Sequence, residues 1–189
     1  MTTTGDDFWV FGYGSLMWRP GFDFIERTQA FVHGYHRSLC VFSHVHRGTP
    51  EAPGLVLGLD YGGSCHGVAF RVAGAARAET LAYLRARELV TSVYVERMVG
   101  LRLPCGGATR ALTFVVDRAH EQYAGRLPIE EMARLVARGV GASGANPDYV
   151  RNTYEHLRQL EVHDSALAEI VRRLKASNDT EPAAERRSA

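Results

Sequence analysis

The hydrophobic pattern of this chain changes along its length from a strand-like repeat to a helix-like one. Apolar and polar residues mostly alternate in the first part, as in half-buried strands, and one helical stretch from about Ala75 to Val90 interrupts them. From Pro128 onward, apolar residues recur every three to four positions, which predicts helices. Neighbouring strands, one inserted helix and a helical C-terminal third indicate an α+β fold with a mostly antiparallel, barrel-like sheet.

The bounds of individual strands are predicted from the alternation of apolar and polar residues and from the turn residues between them. Besides the apolar N-terminal strand, strands are predicted at 29–43, 92–103 and 110–117. The segment GLVLGLDYGGSCHGVAFRV, Gly54–Val72, is predicted to form two strands joined by a hairpin turn at Tyr61–Ser64.

The helical part carries recognisable start signals. Pro128 and Pro147 suit first helical positions, and Asn146 suits the cap of the second of these helices. A last helix is predicted over Ser165–Lys175, followed by a polar tail. We expect a single domain over residues 1–176 and a disordered tail over residues 177–189.

Composition and charge exclude several classes of protein. The chain has 22 Lys and Arg against 21 Asp and Glu, and no basic run that would follow a nucleic-acid backbone. It lacks a basic segment followed by an apolar one at the N-terminus, and no stretch approaches the roughly 18 apolar residues of a membrane span. Cys40, Cys65 and Cys105 are widely separated and form no C-x-x-C pair. We expect a soluble, cytoplasmic protein with reduced thiols, no nucleic-acid partner and no membrane association; nothing in the pattern indicates an oligomeric state.

The segment FWVFGYGSLMW, Phe8–Trp18, begins as an apolar strand and then places two glycines around a tyrosine. It lacks the third glycine of a dinucleotide-binding loop, the Gly-Lys-Ser/Thr end of a Walker loop and the glycine spacing of a nucleophile elbow around Ser15. Two interpretations remain. Gly12 and Gly14 either let a ligand approach backbone N–H groups near Ser15, or only make room for the flanking aromatic side chains.

One carboxylate stands out on the inserted helix. Leu81 and Leu84 define its apolar stripe, and Glu88 falls between their directions in the last turn. Partial desolvation and the negative end of the helix dipole would both raise the pKa of Glu88 toward a range useful for proton transfer. The alternative is an ordinary surface contact of Glu88 with Arg85 or Arg87 at a frayed helix end.

Histidines support a rival hypothesis. His44 and His46 are spaced to lie on one face of a strand, with His33 and His36 nearby in sequence, and imidazole clusters can bind zinc. Paired histidines in such a stretch also serve as ordinary hydrogen-bonding residues, and no H-E-x-x-H motif is present.

Four separated segments stand in a definite order and spacing: VFGYGSLMWRPGF, HRGTPEAPG, YLRARE and GASGANPDYV. Together they resemble the ChaC family of γ-glutamylcyclotransferases, over about Trp9 to Leu174. The resemblance implies a small mixed, mostly antiparallel β-barrel with flanking helices and no cofactor or metal. It also implies glutathione as the small-molecule substrate, cleaved at a carbon–nitrogen bond into 5-oxoproline and cysteinylglycine.

The resemblance also implies roles for single residues. The glutamate that ends the YLRARE segment is the family's catalytic acid/base, which carries over to Glu88. The family's γ-glutamyl-binding loop carries over to Val10, Phe11, Gly12, Tyr13, Gly14, Ser15 and Leu16. Tyr94, six residues after Glu88, matches an aromatic residue that follows the catalytic glutamate in the family, and we expect it to line the pocket. One position departs from the family: Phe114, in ALTFV, stands where relatives have a tyrosine near the substrate, so a hydroxyl is missing.

The implied reaction needs no catalytic serine or cysteine, because the α-amine of the γ-glutamyl group attacks its own γ-carbonyl. Three alternatives remain open. The chain could cyclise other γ-glutamyl amines or dipeptides, bind a γ-glutamyl compound or peptide without catalysis, or hold a metal through its histidines.

Overall fold

A computed structural model describes residues 6–104 and 106–180 of the chain, with side chains described up to residue 176. The chain divides into two compact units, formed from residues 1–41 and 57–125 and from residues 42–56 and 126–189. No helix in the described part of the chain has the length and apolar character needed to cross a membrane.

The first unit is built on strands. Its elements are β1 (Phe8–Gly12), a 3-10 helix (Ser15–Met17), β2 (Glu26–Ser43), β3 (Gly54–Val72), a second 3-10 helix (Gly74–Ala76), α1 (Arg77–Glu88), β4 (Tyr94–Arg102) and β5 (Ala108–Val116). One end of β2 and one end of β3 extend beyond this unit. The second unit contains α2 (Ile129–Arg138), β6 (Val140–Gly141), β7 (Gly144–Ala145), α3 (Asn146–Gln159) and α4 (Ser165–Thr180).

The five long strands close into a barrel in the order β1-β3-β2-β4-β5. Pairing is antiparallel between β1 and β3, β2 and β4, and β4 and β5. The barrel closes through a parallel pair in which Trp9 and Val10 of β1 lie opposite Ala111 and Leu112 of β5. The predicted α+β class and the mostly antiparallel, barrel-like sheet are therefore confirmed.

The predicted hairpin turn at Tyr61–Ser64 is wrong. The chain continues as the single strand β3 through this point, although Gly62 and Gly63 have positive φ angles of 97° and 73°. His36 of β2 has its Nδ1 atom 2.9 Å from Gly62 O, so the neighbouring strand accompanies the irregular stretch. A glycine pair with positive φ suits a bend or bulge within a strand as well as a reversal, and the sequence pattern does not separate the two.

One apolar cluster joins the helix of the first unit to the barrel. Its buried members are Phe8, Val10, Leu16, Val72, Leu84, Leu112 and Phe114. Leu84 comes from α1 and Leu16 from the 3-10 helix after β1, so burial of these side chains holds the end of α1 near the turn after β1.

Three helices pack together in the second unit, where α4 contacts both α2 and α3. The predicted capping role of Asn146 is wrong, because Ala145 occupies the cap position of α3. The Asn146 side chain is fully buried; its Oδ1 accepts from Leu55 N–H at 2.7 Å and its Nδ2 donates to Leu55 O at 2.8 Å. An asparagine amide offers both a donor and an acceptor, so here it pairs with a peptide group as a strand would.

The last helix is longer than predicted. α4 continues to Thr180, four residues into the segment 177–189 that was expected to be a disordered tail. The rest of that segment, and Cys105, lie outside the described residues.

Candidate active site

The turn after β1 is the accessible end of the glycine-containing segment. β1 ends at Gly12, and the first 3-10 helix begins at Ser15. Met17 N–H donates to Gly14 O and Arg19 N–H donates to Ser15 O, both at 2.9 Å, so backbone hydrogen bonds hold the turn. Gly14 is half-buried and Ser15 is exposed. A ligand that approaches this turn meets Gly14 and Ser15 first.

The two glycines of the turn have different surroundings. A Cβ on Gly12 would lie 3.0 Å from Leu16 Cβ and 3.3 Å from Met17 N, so a side chain there would disturb the turn. A Cβ on Gly14 would have Leu57 Cδ1 as its nearest neighbour, at the ordinary contact distance of 3.6 Å. Packing within the protein therefore explains the glycine at position 12 and leaves the glycine at position 14 unexplained.

Other predicted substrate-binding side chains of this segment are buried. Val10 and Phe11 are fully buried, and Phe11 O accepts a hydrogen bond from Thr113 Oγ1 at 3.0 Å. Tyr13 and Leu16 are also buried. These four side chains are buried, so they support the turn from the core. The solvent-accessible groups of the turn belong to Gly14 and Ser15.

Glu88 is the last residue of α1 and lies one turn after the fully buried Leu84. Its side chain is 19% exposed. Burial raises the pKa of Glu88 above the ordinary value of a glutamate, and the positive charge of Arg87 opposes this with a smaller effect. The prediction of a partly desolvated carboxylate with a raised pKa is confirmed.

The predicted alternative, a contact between Glu88 and a neighbouring arginine, is also present in a modified form. Arg87 Nε lies 3.2 Å from Glu88 Oε1, but the two side chains are only 20% and 19% exposed. Arg85, the other arginine considered, pairs with Glu96 of β4 at 2.7 Å. The Glu88 contact is therefore a largely buried ion pair and not a frayed surface contact.

Arg87 connects the carboxylate to the turn. Its Nη2 donates to Ser15 Oγ at 2.9 Å, across 72 residues of sequence. Its Nη1 donates to Arg19 O at 2.7 Å, Pro20 O at 3.2 Å and Tyr83 Oη at 2.9 Å. The sequence pattern predicts Arg87 only as a surface partner of Glu88. The spacing of Tyr83 and Arg87, four residues apart on a helix, was the one available signal that they share a face.

Tyr94 and Phe114 belong to the same region from the barrel side. Tyr94 begins β4, packs against the apolar cluster that contains Leu16 and Leu84, and donates its hydroxyl to Leu57 O at 2.6 Å. Phe114 is a member of that cluster and is 1% exposed. The structure thus brings Glu88, the Gly14–Ser15 turn and Tyr94 to one end of the first unit, while Phe114 lies beneath the surface.

The histidines do not form a metal site in the described part of the chain. His44 follows the end of β2 and stacks on the ring of Phe42, with 6.2 Å between the ring centroids. His46 has its Nδ1 atom 2.9 Å from Ser143 Oγ. No group of three or more His, Cys, Asp or Glu side chains that could hold a metal ion occurs among the described residues. The rival metal hypothesis therefore has no ligand set there.

This arrangement occurs in a chain with clear relatives. It is 34% identical over 173 residues to the glutathione-specific γ-glutamylcyclotransferase of Escherichia coli (strain K12), covering 90% of this chain and 75% of that protein. It is 36% identical over 155 residues to the glutathione-specific γ-glutamylcyclotransferase 1 of Danio rerio, covering 79% of each. A solved structure of a yeast γ-glutamylcyclotransferase specific to glutathione superposes with a TM-score of 0.81 at 21% identity, covering 91% of this chain and 97% of the other, which shows a shared fold.

The family assignment rests on nearly the whole chain. The family model described as ChaC-like protein matches residues 8–177, which include the barrel, α1 with Glu88, and the helices of the second unit. This chain belongs to the ChaC-like protein family.

Proposed function

We propose that this chain is a glutathione-specific γ-glutamylcyclotransferase that releases 5-oxoproline and cysteinylglycine, with Glu88 as the catalytic base and acid. The observation that carries the proposal is a desolvated carboxylate, 19% exposed, connected through Arg87 to the exposed turn at Ser15. Relatives that are about a third identical in sequence bear the name of this activity.

In the proposed reaction, the substrate supplies its own nucleophile. The α-amine of the γ-glutamyl group attacks the γ-carbonyl carbon, a new C–N bond closes the five-membered lactam, and the C–N bond to the cysteinyl nitrogen breaks. No water is added, so the cleavage is of the lyase type. Holding the amine and the carbonyl in the cyclising geometry removes part of the entropic cost of reaching the transition state. This effect can lower the activation barrier by several kcal/mol, with an upper limit of about 7–11 kcal/mol.

Glu88 has one proton to move in two steps. As a carboxylate it accepts a proton from the attacking amine, and as a carboxylic acid it returns that proton to the departing cysteinyl nitrogen. A group that serves in both directions works best with a pKa near the working pH, and burial of Glu88 raises its pKa in that direction. Such proton transfer typically contributes about 10²–10⁴-fold to the rate.

The turn after β1 has the proposed task of binding the substrate. Backbone N–H groups at Gly14 and Ser15 hold either the substrate carboxylate or the oxyanion of the tetrahedral intermediate. Ser15 is a poor nucleophile here because its hydroxyl contacts the permanently charged Arg87 and not a general base. Val10, Phe11, Tyr13 and Leu16 support the turn from the core.

A second candidate function keeps the reaction and changes the substrate. Phe114 provides no hydroxyl where family members were expected to have one, and its side chain is 1% exposed. Without a hydroxyl from this position, the polar end of glutathione would be held less strictly, and other γ-glutamyl amines or dipeptides would be admitted. The proposed location is the cytoplasm, where the thiols of Cys40 and Cys65 would remain reduced.

A substrate panel tests both candidates. Purified protein is incubated with glutathione, γ-glutamyl dipeptides and γ-glutamyl amines, and 5-oxoproline and the released amine are quantified by mass spectrometry. We expect equimolar 5-oxoproline and cysteinylglycine from glutathione and at least tenfold lower kcat/KM for the other compounds. Comparable rates across the panel would favour the broader cyclotransferase. Binding of glutathione without any 5-oxoproline would contradict both and indicate a non-catalytic binding module.

A further inference from the structure

The guanidinium of Arg87 is bound on all its nitrogens. Nη1 donates to Arg19 O, Pro20 O and Tyr83 Oη, Nη2 donates to Ser15 Oγ, and Nε faces Glu88 Oε1. Its side chain is 20% exposed. Because these partners come from α1 and from the segment after β1, the guanidinium is fixed relative to both and cannot turn toward a ligand without breaking several hydrogen bonds.

This arrangement has two chemical consequences. An arginine stays protonated at every pH at which proteins function, so Arg87 places a permanent positive charge 3.2 Å from the Glu88 carboxylate. The hydroxyl of Ser15 accepts a hydrogen bond from Arg87, which leaves its own proton available for donation outward. The same side chain therefore acts on the charge of the base and on the direction of the Ser15 hydroxyl.

Other charged groups near the end of α1 are engaged elsewhere. Arg85 of the same helix forms two hydrogen bonds with the Glu96 carboxylate of β4, at 2.7 and 3.0 Å. Tyr94, the other ionisable side chain at the start of β4, donates its hydroxyl to Leu57 O. On the turn side, Arg19 is exposed and contributes its backbone carbonyl. Arg87 is the charged neighbour whose positive charge lowers the pKa of the Glu88 carboxyl.

We propose that Arg87 is a positioning residue that keeps the Glu88 carboxylate ionised and oriented, and that aims the Ser15 hydroxyl at the acidic end of the substrate. The inference rests on the proposed function, because it assigns Arg87 a role in the same proton transfer. Burial alone would raise the pKa of Glu88 further and disfavour the ionised form that accepts a proton. The adjacent guanidinium limits this rise, while burial of the side chain keeps the pKa of Glu88 above its ordinary value, as proton return requires.

The test is a direct titration of Glu88 with and without the guanidinium. The side-chain carboxyl of Glu88 is followed by ¹³C NMR from pH 4 to pH 9 in the parent, in Arg87→Gln and in Arg87→Met, and assigned by its disappearance in Glu88→Gln. Removing a positive charge at this distance should move the Glu88 pKa upward by about 1–3 pH units. Arg87→Lys keeps the charge but not the fork of donors, and should restore the pKa in part.

Kinetics then connect the titration to catalysis. In Arg87→Gln, the acidic limb of the kcat/KM profile for glutathione should move upward by the same amount as the Glu88 pKa. Arg85→Gln is the matched control, because it removes an equal charge from the same helix at a residue that pairs with Glu96. It should leave the Glu88 titration within about 0.3 pH units of the parent.

The outcomes separate this inference from the proposed function. An unchanged Glu88 pKa in the folded Arg87→Gln or Arg87→Met variant, with activity lowered equally at every pH, would show a merely structural role for Arg87 and overturn the inference. If the parent released no 5-oxoproline from glutathione, the proposed function would fail. The NMR titration would still report whether Arg87 controls the ionisation of Glu88, because it requires no turnover.

Discussion

The two glycines of the turn after β1 can be distinguished by adding a single methyl group to each. In Gly12→Ala, the new Cβ would lie 3.0 Å from Leu16 Cβ and 3.3 Å from Met17 N. The turn must shift to accept it, at a cost of about 1–3 kcal/mol, which is typical of overpacked sites. In Gly14→Ala, the new Cβ meets only Leu57 Cδ1, at 3.6 Å, and φ is −130°, so we expect a change in stability within about 0.5 kcal/mol.

Thermal unfolding and substrate kinetics measure the two effects separately. One kcal/mol corresponds to about 2–4 °C in Tm for a chain of this size, so Gly12→Ala should lower Tm by roughly 2–12 °C and Gly14→Ala by less than about 2 °C. If the substrate approaches the bare backbone at position 14, Gly14→Ala should raise the KM for glutathione at least tenfold, in a protein that is folded and stable.

A particular result would refute this reasoning. If Gly14→Ala kept the KM and kcat of the parent, the substrate would not use the backbone surface at Gly14. The ligand-approach interpretation of Gly14 would then fail, and only the packing role of Gly12 would remain. A Gly12→Ala variant as stable as the parent would show that the Leu16 contact relaxes freely, and the distinction between the two positions would be lost.

Two further predictions concern Ser15 and a polar cluster elsewhere in the first unit. Ser15→Ala removes a hydroxyl that accepts from Arg87 and that is proposed to donate to the substrate. We expect kcat/KM to fall about 10–100-fold, in line with the loss of one hydrogen bond to a charged group. Loss of all activity, with an acyl-enzyme trapped in the parent, would contradict the proposed mechanism. Asp60, 5% exposed, accepts from Arg118 Nε at 2.7 Å and Tyr123 Oη at 2.8 Å. Burial alone would raise the pKa of Asp60, but these bonds, together with one from Tyr61 N–H and the charge of Arg118, lower it overall. The stabilisation that the Asp60 carboxylate contributes is therefore fully present above about pH 4, the pKa of an aspartate in the unfolded chain. It is lost as the pH falls through the lowered pKa of Asp60 in the folded protein. Asp60→Asn should lower the free energy of unfolding by about 1.5–3 kcal/mol in urea at pH 7, and by clearly less at pH 3; an equal loss at both pH values would contradict this account.

The fold class was predictable because it depends on patterns that local sequence records. Alternation identifies the barrel strands, and a spacing of three to four identifies α1 and the C-terminal helices. The same helical spacing placed Glu88 beside the buried Leu84, which the structure confirms. Where one residue type suits two local structures, the sequence pattern could not decide. Gly62 and Gly63 continue a strand instead of reversing it, and Asn146 pairs with Leu55 instead of capping α3.

The connection between base and turn was not predictable, because it joins residues that are far apart in the chain. Ser15 and Arg87 are separated by 72 positions, and neither shows a pattern that would indicate the other as its partner. The different surroundings of Gly12 and Gly14 also depend on the folded structure, which places Leu16 near the first and Leu57 near the second. Sequence patterns and the family resemblance predict the residues of the candidate site, and the structure distinguishes those that face outward from those that are buried.

The central claim is that the Glu88 carboxylate moves the proton during cyclisation, and Glu88→Gln tests it most directly. Glutamine keeps the shape of the side chain and an oxygen that can still accept from Arg87 Nε. Glu96→Gln serves as a matched control, because it makes the same change at a β4 residue that pairs with Arg85. Single-turnover release of 5-oxoproline from glutathione should be about 10²–10⁴-fold slower in Glu88→Gln and nearly unchanged in Glu96→Gln. Release by folded Glu88→Gln at the parental rate would contradict the account.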